Sequence, residues 1–164
     1  MPAAMSNSPH VLQTAPKRAG TQLMIMTAIA LLAVAGVAVS SVSLYEHFAT
    51  SSTSFCDFSQ SFNCDIVNRS AYSTVLGVPV ALIGIVGYLL IIALATVYRN
   101  KAETRVLLLI ASIVGLGFAL YLTYIEKFKL DVWCILCLTS LGLICCEVIL
   151  SAAATRRTKN HADV

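Results

Sequence analysis

Four long apolar runs, Leu23–Tyr45, Val78–Tyr98, Val106–Ile125 and Val132–Ala154, decide what this chain can become. Each has at least 20 residues, enough to carry a helix across a hydrocarbon core of ~30 Å. The first three hold no charged residue, and the fourth holds only Glu147. Inside lipid a segment must satisfy its own backbone polar groups, which favours helices. A soluble domain is excluded by the same residues: 58% are hydrophobic and 12% charged, against ~25% charged in an ordinary soluble domain. The expected fold is an all-α membrane protein, a four-transmembrane-helix bundle over residues 21–155. A disordered cytoplasmic tail, residues 1–20 with Pro2, Pro9 and Pro16, is expected before it, and a basic cytoplasmic tail, 156–164, after it.

Lys and Arg fix the orientation. Lys17, Arg18, Arg99, Lys101, Arg105, Arg156, Arg157 and Lys159 fall on one side of a four-span chain, and only Arg69, Lys127 and Lys129 on the other. The positive-inside rule then puts both termini in the cytoplasm. It places the loop 46–78 and the turn Glu126–Asp131 on the outer, periplasmic side of the inner membrane, where disulfides persist. This bias accounts for the net charge of +3, so nothing points to nucleic acid. Lys17-Arg18 ahead of an apolar run also fits a secretory signal peptide, but such h-regions span ~7–15 residues, and Leu23–Tyr45 is longer. An uncleaved helix is the better expectation.

The outer loop is the one sizeable segment outside the spans. Phe55, Phe58, Phe62 and Ile66 recur there at helical spacing with polar residues between, the pattern of a short amphipathic helix lying on the bilayer surface. It is expected either to cover the bundle or simply to anchor the loop. Cys56 and Cys64 lie in this segment. On a continuous helix they would stand ~12 Å apart, whereas a disulfide needs Cα atoms within about 7 Å. If the two bond to each other, the helix must break between them, most easily around Ser59–Asn63; otherwise one of them pairs elsewhere. A static staple and an exchanging pair both fit the loop alone.

Cys134-Ile135-Leu136-Cys137 at the mouth of the fourth run favours exchange. Asp131 is placed to cap that helix, which would put Cys134 in its first turn, where unpaired N–H groups and the helix dipole stabilise a thiolate. Cys137 lies one turn further in. Two cysteine pairs close together hand electrons on through mixed disulfides. A lone CxxC can also be half of a zinc site, but no second CxxC or paired histidines accompany it, and no metal is expected. Cys145 and Cys146, in mid-span, are expected to be buried and inert.

The order Cys56-x7-Cys64, then Cys64-Asp65-Ile66-Val67-Asn68-Arg69-Ser70, then Gly77-Val78-Pro79, then Trp133-Cys134-Ile135-Leu136-Cys137-Leu138-Thr139-Ser140 resembles the vitamin K epoxide reductase family, in particular its bacterial-type members. The resemblance covers about residues 23–154. In the other family of quinone-linked disulfide generators the CxxC comes first and the wider pair second, the reverse of the order here. The resemblance implies that a thioredoxin-fold protein delivers electrons to Cys56 and Cys64, that Cys64 exchanges with Cys134, and that Cys137 reduces a quinone held in the bundle. Ser70 matches a family serine associated with that site. Val80 and Leu141 stand where animal members carry a quinone-contacting Asn and Tyr, which favours simple quinone reduction during disulfide formation over epoxide reduction. Val80 and Leu141 are then expected to form an apolar wall for the quinone, with Ser70 or Thr139 as hydrogen-bond donors. No thioredoxin domain follows in the sequence, so the partner is expected in trans.

Glu147 is an ionisable residue within a span, by default a functional candidate, but it lies about 15 Å from Cys137 by helix rise. A neutral, hydrogen-bonded structural role is the expectation. The rival to the enzyme reading is a non-catalytic four-helix membrane protein, an assembly factor or small-solute carrier, whose outer cysteines only staple loops.

Overall fold

The computed structural model describes residues 9–49, 62–98 and 101–162 of the chain. Cys56, Phe55 and Phe58 lie outside the described residues. Helix α1 runs Pro9–Phe48, α2 Cys64–Arg69, α3 Val80–Thr96, α4 Ala102–Ile125 and α5 Ile135–Ala162. Helix α1 starts at Pro9, so residues 9–20, expected as a disordered tail, are helical. Extending a helix that the apolar run has already nucleated costs far less than starting a new one. Segments Gly20–Phe48, Glu103–Leu130 and Ile135–Arg156 are long and apolar enough to cross a membrane.

The second span is shorter than its apolar run. Val78 and Pro79 pair as strand β2 with β1, Thr74–Val75, in register Thr74↔Pro79 and Val75↔Val78. Leu76 and Gly77 turn the hairpin with φ of 53° and 81°, the two positive values that a tight two-residue turn requires. Helix α3 therefore has 17 residues, covering ~26 Å by helix rise.

The fourth span also starts late. Past Ile125 the third helix continues as one π-helical turn, Glu126–Leu130, ended by Asp131 at φ 51°, ψ 28°. Asp131 thus closes one helix rather than capping the next, and α5 begins at Ile135. Between them Trp133 forms a parallel bridge with Phe62. Asn63, extended at φ −145°, starts α2, so the described part of the loop is not a continuous helix from Phe62 to Ile66.

Helix α1 packs against α3 and α5, and α4 packs against α5, while α3 and α4 meet over a shorter stretch. Met26, Ile29 and Ala33 of α1 form the core with Tyr88 and Ile91, Leu108, and Ile144. The Tyr88 ring lies on Gly36, where an added Cβ would come within 2.5 Å of ring atom Cδ1. Its hydroxyl donates to the Ser140 carbonyl at 3.1 Å and lies 2.9 Å from Ser140 Oγ, tying α3 to α5. Leu31, Val34, Leu89, Ile113 and Ile149 point outward, as they must in a bundle solvated by lipid. Where α3 and α4 separate, a cavity opens.

Candidate redox site

Two short pieces of main chain bring the cysteines together. The Asn63 side chain accepts a hydrogen bond from the Ile66 N–H at 2.9 Å and so caps α2, which begins at Cys64. The Asn63 N–H in turn donates to the Trp133 carbonyl at 3.1 Å, one residue before Cys134. The result is direct: Cys64 Sγ and Cys134 Sγ stand 3.3 Å apart. Both residues are fully buried, packed with Leu136, Val39 and Val67. Cys64 is disulfide-bonded, whereas Cys134 and Cys137 are free thiols.

Cys134 occupies the residue before α5 and not its first turn, with its carbonyl accepting from the Leu138 N–H at 3.0 Å. A hydrogen bond from the Cys137 side chain pulls the Cys134 thiol below the ordinary cysteine range. Burial opposes that shift, and backbone N–H groups of Cys137 and Leu136 add to it. This is the chemistry a helix N-terminus offers a thiolate.

Glu126 is the residue that the sequence reading missed. The sequence sets it in an outer turn, yet it is 1% exposed. The π-helical turn swings it inward, and its Oε2 accepts from the Cys134 N–H at 3.1 Å. Its Oε1 has no hydrogen-bond partner among the described residues. A signal was available: Glu126 shares a helix face with Leu122 and Leu130, four residues to either side, and all three line the cavity.

The cavity has a volume of ≈ 640 Å³, within the range of ~300–1,000 Å³ typical of small-molecule sites. Its walls are mainly apolar, with Phe118 and Leu122 of α4 facing Val80 and Ile91 of α3. Cys137, Glu126, Tyr88 and Ser140 contribute to its wall. So do Ser43, His47 and Asn68, which form one polar group. Ser43 Oγ donates to Asn68 Oδ1 at 2.8 Å, and His47 Nδ1 lies 2.5 Å from the Asn68 carbonyl oxygen. Asn68 Nδ2, a buried donor, has no partner among the described residues.

Of the four residues expected around a quinone, Ser70 and Val80 line this cavity and Thr139 and Leu141 do not. Thr139 is exposed and its hydroxyl donates to the Ile135 carbonyl at 2.7 Å, while Leu141 packs on the main core. Successive helix residues are ~100° apart, so the residue facing inward is Ser140, between them. Ser70 Oγ already donates to the Val67 carbonyl at 2.8 Å. Cys146, expected to be buried, is exposed on the outside of α5. Glu147 is buried, but neither carboxylate oxygen has a hydrogen-bond partner among the described residues, contrary to the hydrogen-bonded role expected for it.

A carboxylate oxygen of Glu126 and the sulfurs of Cys134 and Cys137 all lie within 4.8 Å of one another, close enough to share a cation. The sulfur contact with Cys64, however, gives this cluster a redox reading.

Fold and site together define a helical membrane protein built around a thiol–disulfide cluster that opens onto an apolar cavity. The vitamin K epoxide reductase family model matches residues 27–152, and the chain belongs to that family. It is a multi-pass membrane oxidoreductase of the kind that links disulfides to quinones. Comparison with individually curated proteins finds no match.

Proposed function

We propose that this protein passes electrons from a thioredoxin-fold partner through Cys56/Cys64 and then Cys134/Cys137 to a quinone in the cavity, supporting disulfide bond formation outside the inner membrane. The observation that carries this reading is the 3.3 Å separation of Cys64 and Cys134 sulfurs, with Cys137 opening onto the cavity. A disulfide that served only as a staple has no need of a free thiol against one of its sulfurs.

The steps balance as follows. The partner dithiol reduces the loop disulfide and is itself oxidised. The Cys64 thiolate attacks Cys134 of an inner Cys134–Cys137 disulfide, forming a Cys64–Cys134 bond and releasing Cys137 as thiolate. Cys56 then attacks Cys64, releasing Cys134 and restoring the loop disulfide. A bonded Cys64 beside free Cys134 and Cys137 corresponds to this last state, with two electrons on the inner pair. Oxidation of that pair to a disulfide gives two electrons and two protons, which convert quinone to quinol. The low-lying Cys134 thiol suits it to leave and to attack, because exchange depends on the thiolate and on leaving-group pKa. Asn68 Nδ2 is the free donor for a quinone oxygen, and Val80 and Ser70 complete that side of the cavity. The active loop on the outer face and both termini in the cytoplasm follow from the Lys and Arg distribution.

The test is trapping. Forming the Cys64–Cys134 bond requires the sulfurs to close from 3.3 Å to ~2.05 Å, a shift that side-chain rotation supplies. Replacing Cys137 with Ala, or Cys56 with Ala, removes a resolving thiol, so the Cys64–Cys134 disulfide should accumulate and appear in non-reducing peptide maps. Cys64 bonded only to Cys56 where Cys56 is present, and never to Cys134 in either variant or any redox state, would sink the relay. Purified protein with a reduced thioredoxin-fold partner and a quinone should show loss of quinone absorbance, and Cys137→Ala should abolish it.

A further inference from the structure

We infer that Glu126 is the proton-transfer residue of the inner cysteine pair, taking the proton from the Cys137 thiol and delivering it to the quinone. The inference rests on the reading above that quinone is the acceptor, and it adds the group that handles protons where water is scarce. Three features of Glu126 point to it. Its carboxylate lies within 4.8 Å of both inner sulfurs. It lines the same cavity as Cys137. Its Oε1 is buried without a hydrogen-bond partner among the described residues, although leaving such an oxygen unpaired is costly. An acceptor held open at that cost, beside a sulfur that must lose a proton, is placed for transfer.

Among the described residues no other group offers the same service. Among the described residues Glu126 makes no ion pair, and the neighbouring Lys127 ammonium sits over the Trp133 ring at 5.6 Å from its centroid. His47, also on the cavity wall, is engaged with the Asn68 carbonyl. Tyr88 is bonded to Ser140. The cytoplasmic-side carboxylate Glu147 is on α5 beyond Ser140 and does not line the cavity.

The step runs without a net change at Glu126. The Cys137 S–H gives its proton to the carboxylate as the sulfur becomes nucleophilic. The carboxylic acid then protonates a quinone oxygen, and the Cys134 proton follows by the same route. The Cys134–Cys137 S–S bond forms, the quinone gains two electrons and two protons, and Glu126 ends ionised.

The experiment separates proton transfer from positioning. Glu126→Gln keeps an oxygen to accept from the Cys134 N–H but cannot accept a proton, whereas Glu126→Asp keeps the carboxylate. Positioned acid–base groups contribute about 10²–10⁴-fold. Quinone reduction by Glu126→Gln should therefore fall about 100-fold or more, with quinone affinity unchanged and partial recovery in Glu126→Asp. Independently of any quinone, labelling of Cys137 by N-ethylmaleimide at neutral pH should quicken about tenfold in Glu126→Gln, since a carboxylate charge beside the sulfur disfavours its thiolate and only the thiolate reacts. Should the parental chain reduce no quinone, the acceptor reading falls while the labelling arm still judges Glu126. Parental labelling and parental quinone reduction in Glu126→Gln would overturn the inference. If the Gln variant does not fold, the parental chain decides: quinone reduction should be slower in D2O than in H2O, and equal rates would overturn the inference.

Discussion

Replacing Gly36 with Ala probes the joint that shapes the cavity. The new Cβ would lie 2.5 Å from Tyr88 Cδ1, about 1 Å inside ordinary contact distance for carbon atoms. Backbone on α1 cannot give that much, so the ring must move. A shift of about 1 Å away from Ser140 stretches hydroxyl contacts of 3.1 and 2.9 Å beyond hydrogen-bond length. Overpacking costs about 1–3 kcal/mol, and each lost hydrogen bond adds about 0.5–1.5 kcal/mol. Gly36→Ala should therefore destabilise the bundle by about 2–6 kcal/mol in reversible unfolding from detergent or bicelles. The double-mutant cycle with Tyr88→Phe makes the cause visible. Alone, Tyr88→Phe should cost about 1–3 kcal/mol for the two contacts; on the Gly36→Ala background it should cost almost nothing, because the hydroxyl has already lost its partners. Additive costs, or a Gly36→Ala chain as stable as its parent, would refute the wedge argument.

The remaining expectations are briefer. In a Cys56→Ala, Cys64→Ala chain the Cys134 thiol should ionise below the ordinary cysteine value of ~8.5, so its thiolate absorbance persists as pH falls and disappears only below that lowered value. Adding Cys137→Ala removes the largest cause of the shift and should move the titration upward; an unmoved curve would assign the shift to something else. Glu147→Leu should leave quinone turnover within about twofold and raise stability by about 1–3 kcal/mol, since it removes a buried carboxyl with unpaired oxygens. Loss of turnover in a folded Glu147→Leu protein would give that residue a part in the chemistry.

The bundle was legible because burial in lipid is written as long uncharged runs, and those runs lie within the observed helices apart from their ends. The ends were not legible. Val78–Pro79 reads as apolar helix, but Pro79 and the Leu76-Gly77 turn put it in a hairpin. Asp131 reads as an N-cap, but its left-handed backbone makes it a terminator. Glu126 follows the apolar run Val106–Ile125 and so reads as part of the outer turn, whereas one π-helical turn brings it in beside two thiols. Thr139 and Leu141 were chosen by their place in a motif, and a single helical step separates them from Ser140, the residue that faces the cavity. The cysteine spacing indicated exchange chemistry; that Cys64 and Cys134 are the two in contact came from the family resemblance, and no local pattern encodes it.

The tie between Phe62–Asn63 and Trp133 has a consequence for how freely this protein can diverge. The separation of the Cys64 and Cys134 sulfurs is set by the main-chain bridge of Phe62 with Trp133, which includes the Asn63 N–H to Trp133 carbonyl bond, so substitutions of the Phe62 or Trp133 side chains leave the register intact. A single-residue insertion between Asn63 and Cys64, or between Trp133 and Cys134, is another matter: it advances the chain by ~3.3 Å and turns the side chain to the opposite face. Proline at position 63 would delete the bonding N–H altogether. The segment tolerates drift in what it displays and almost none in how it is counted.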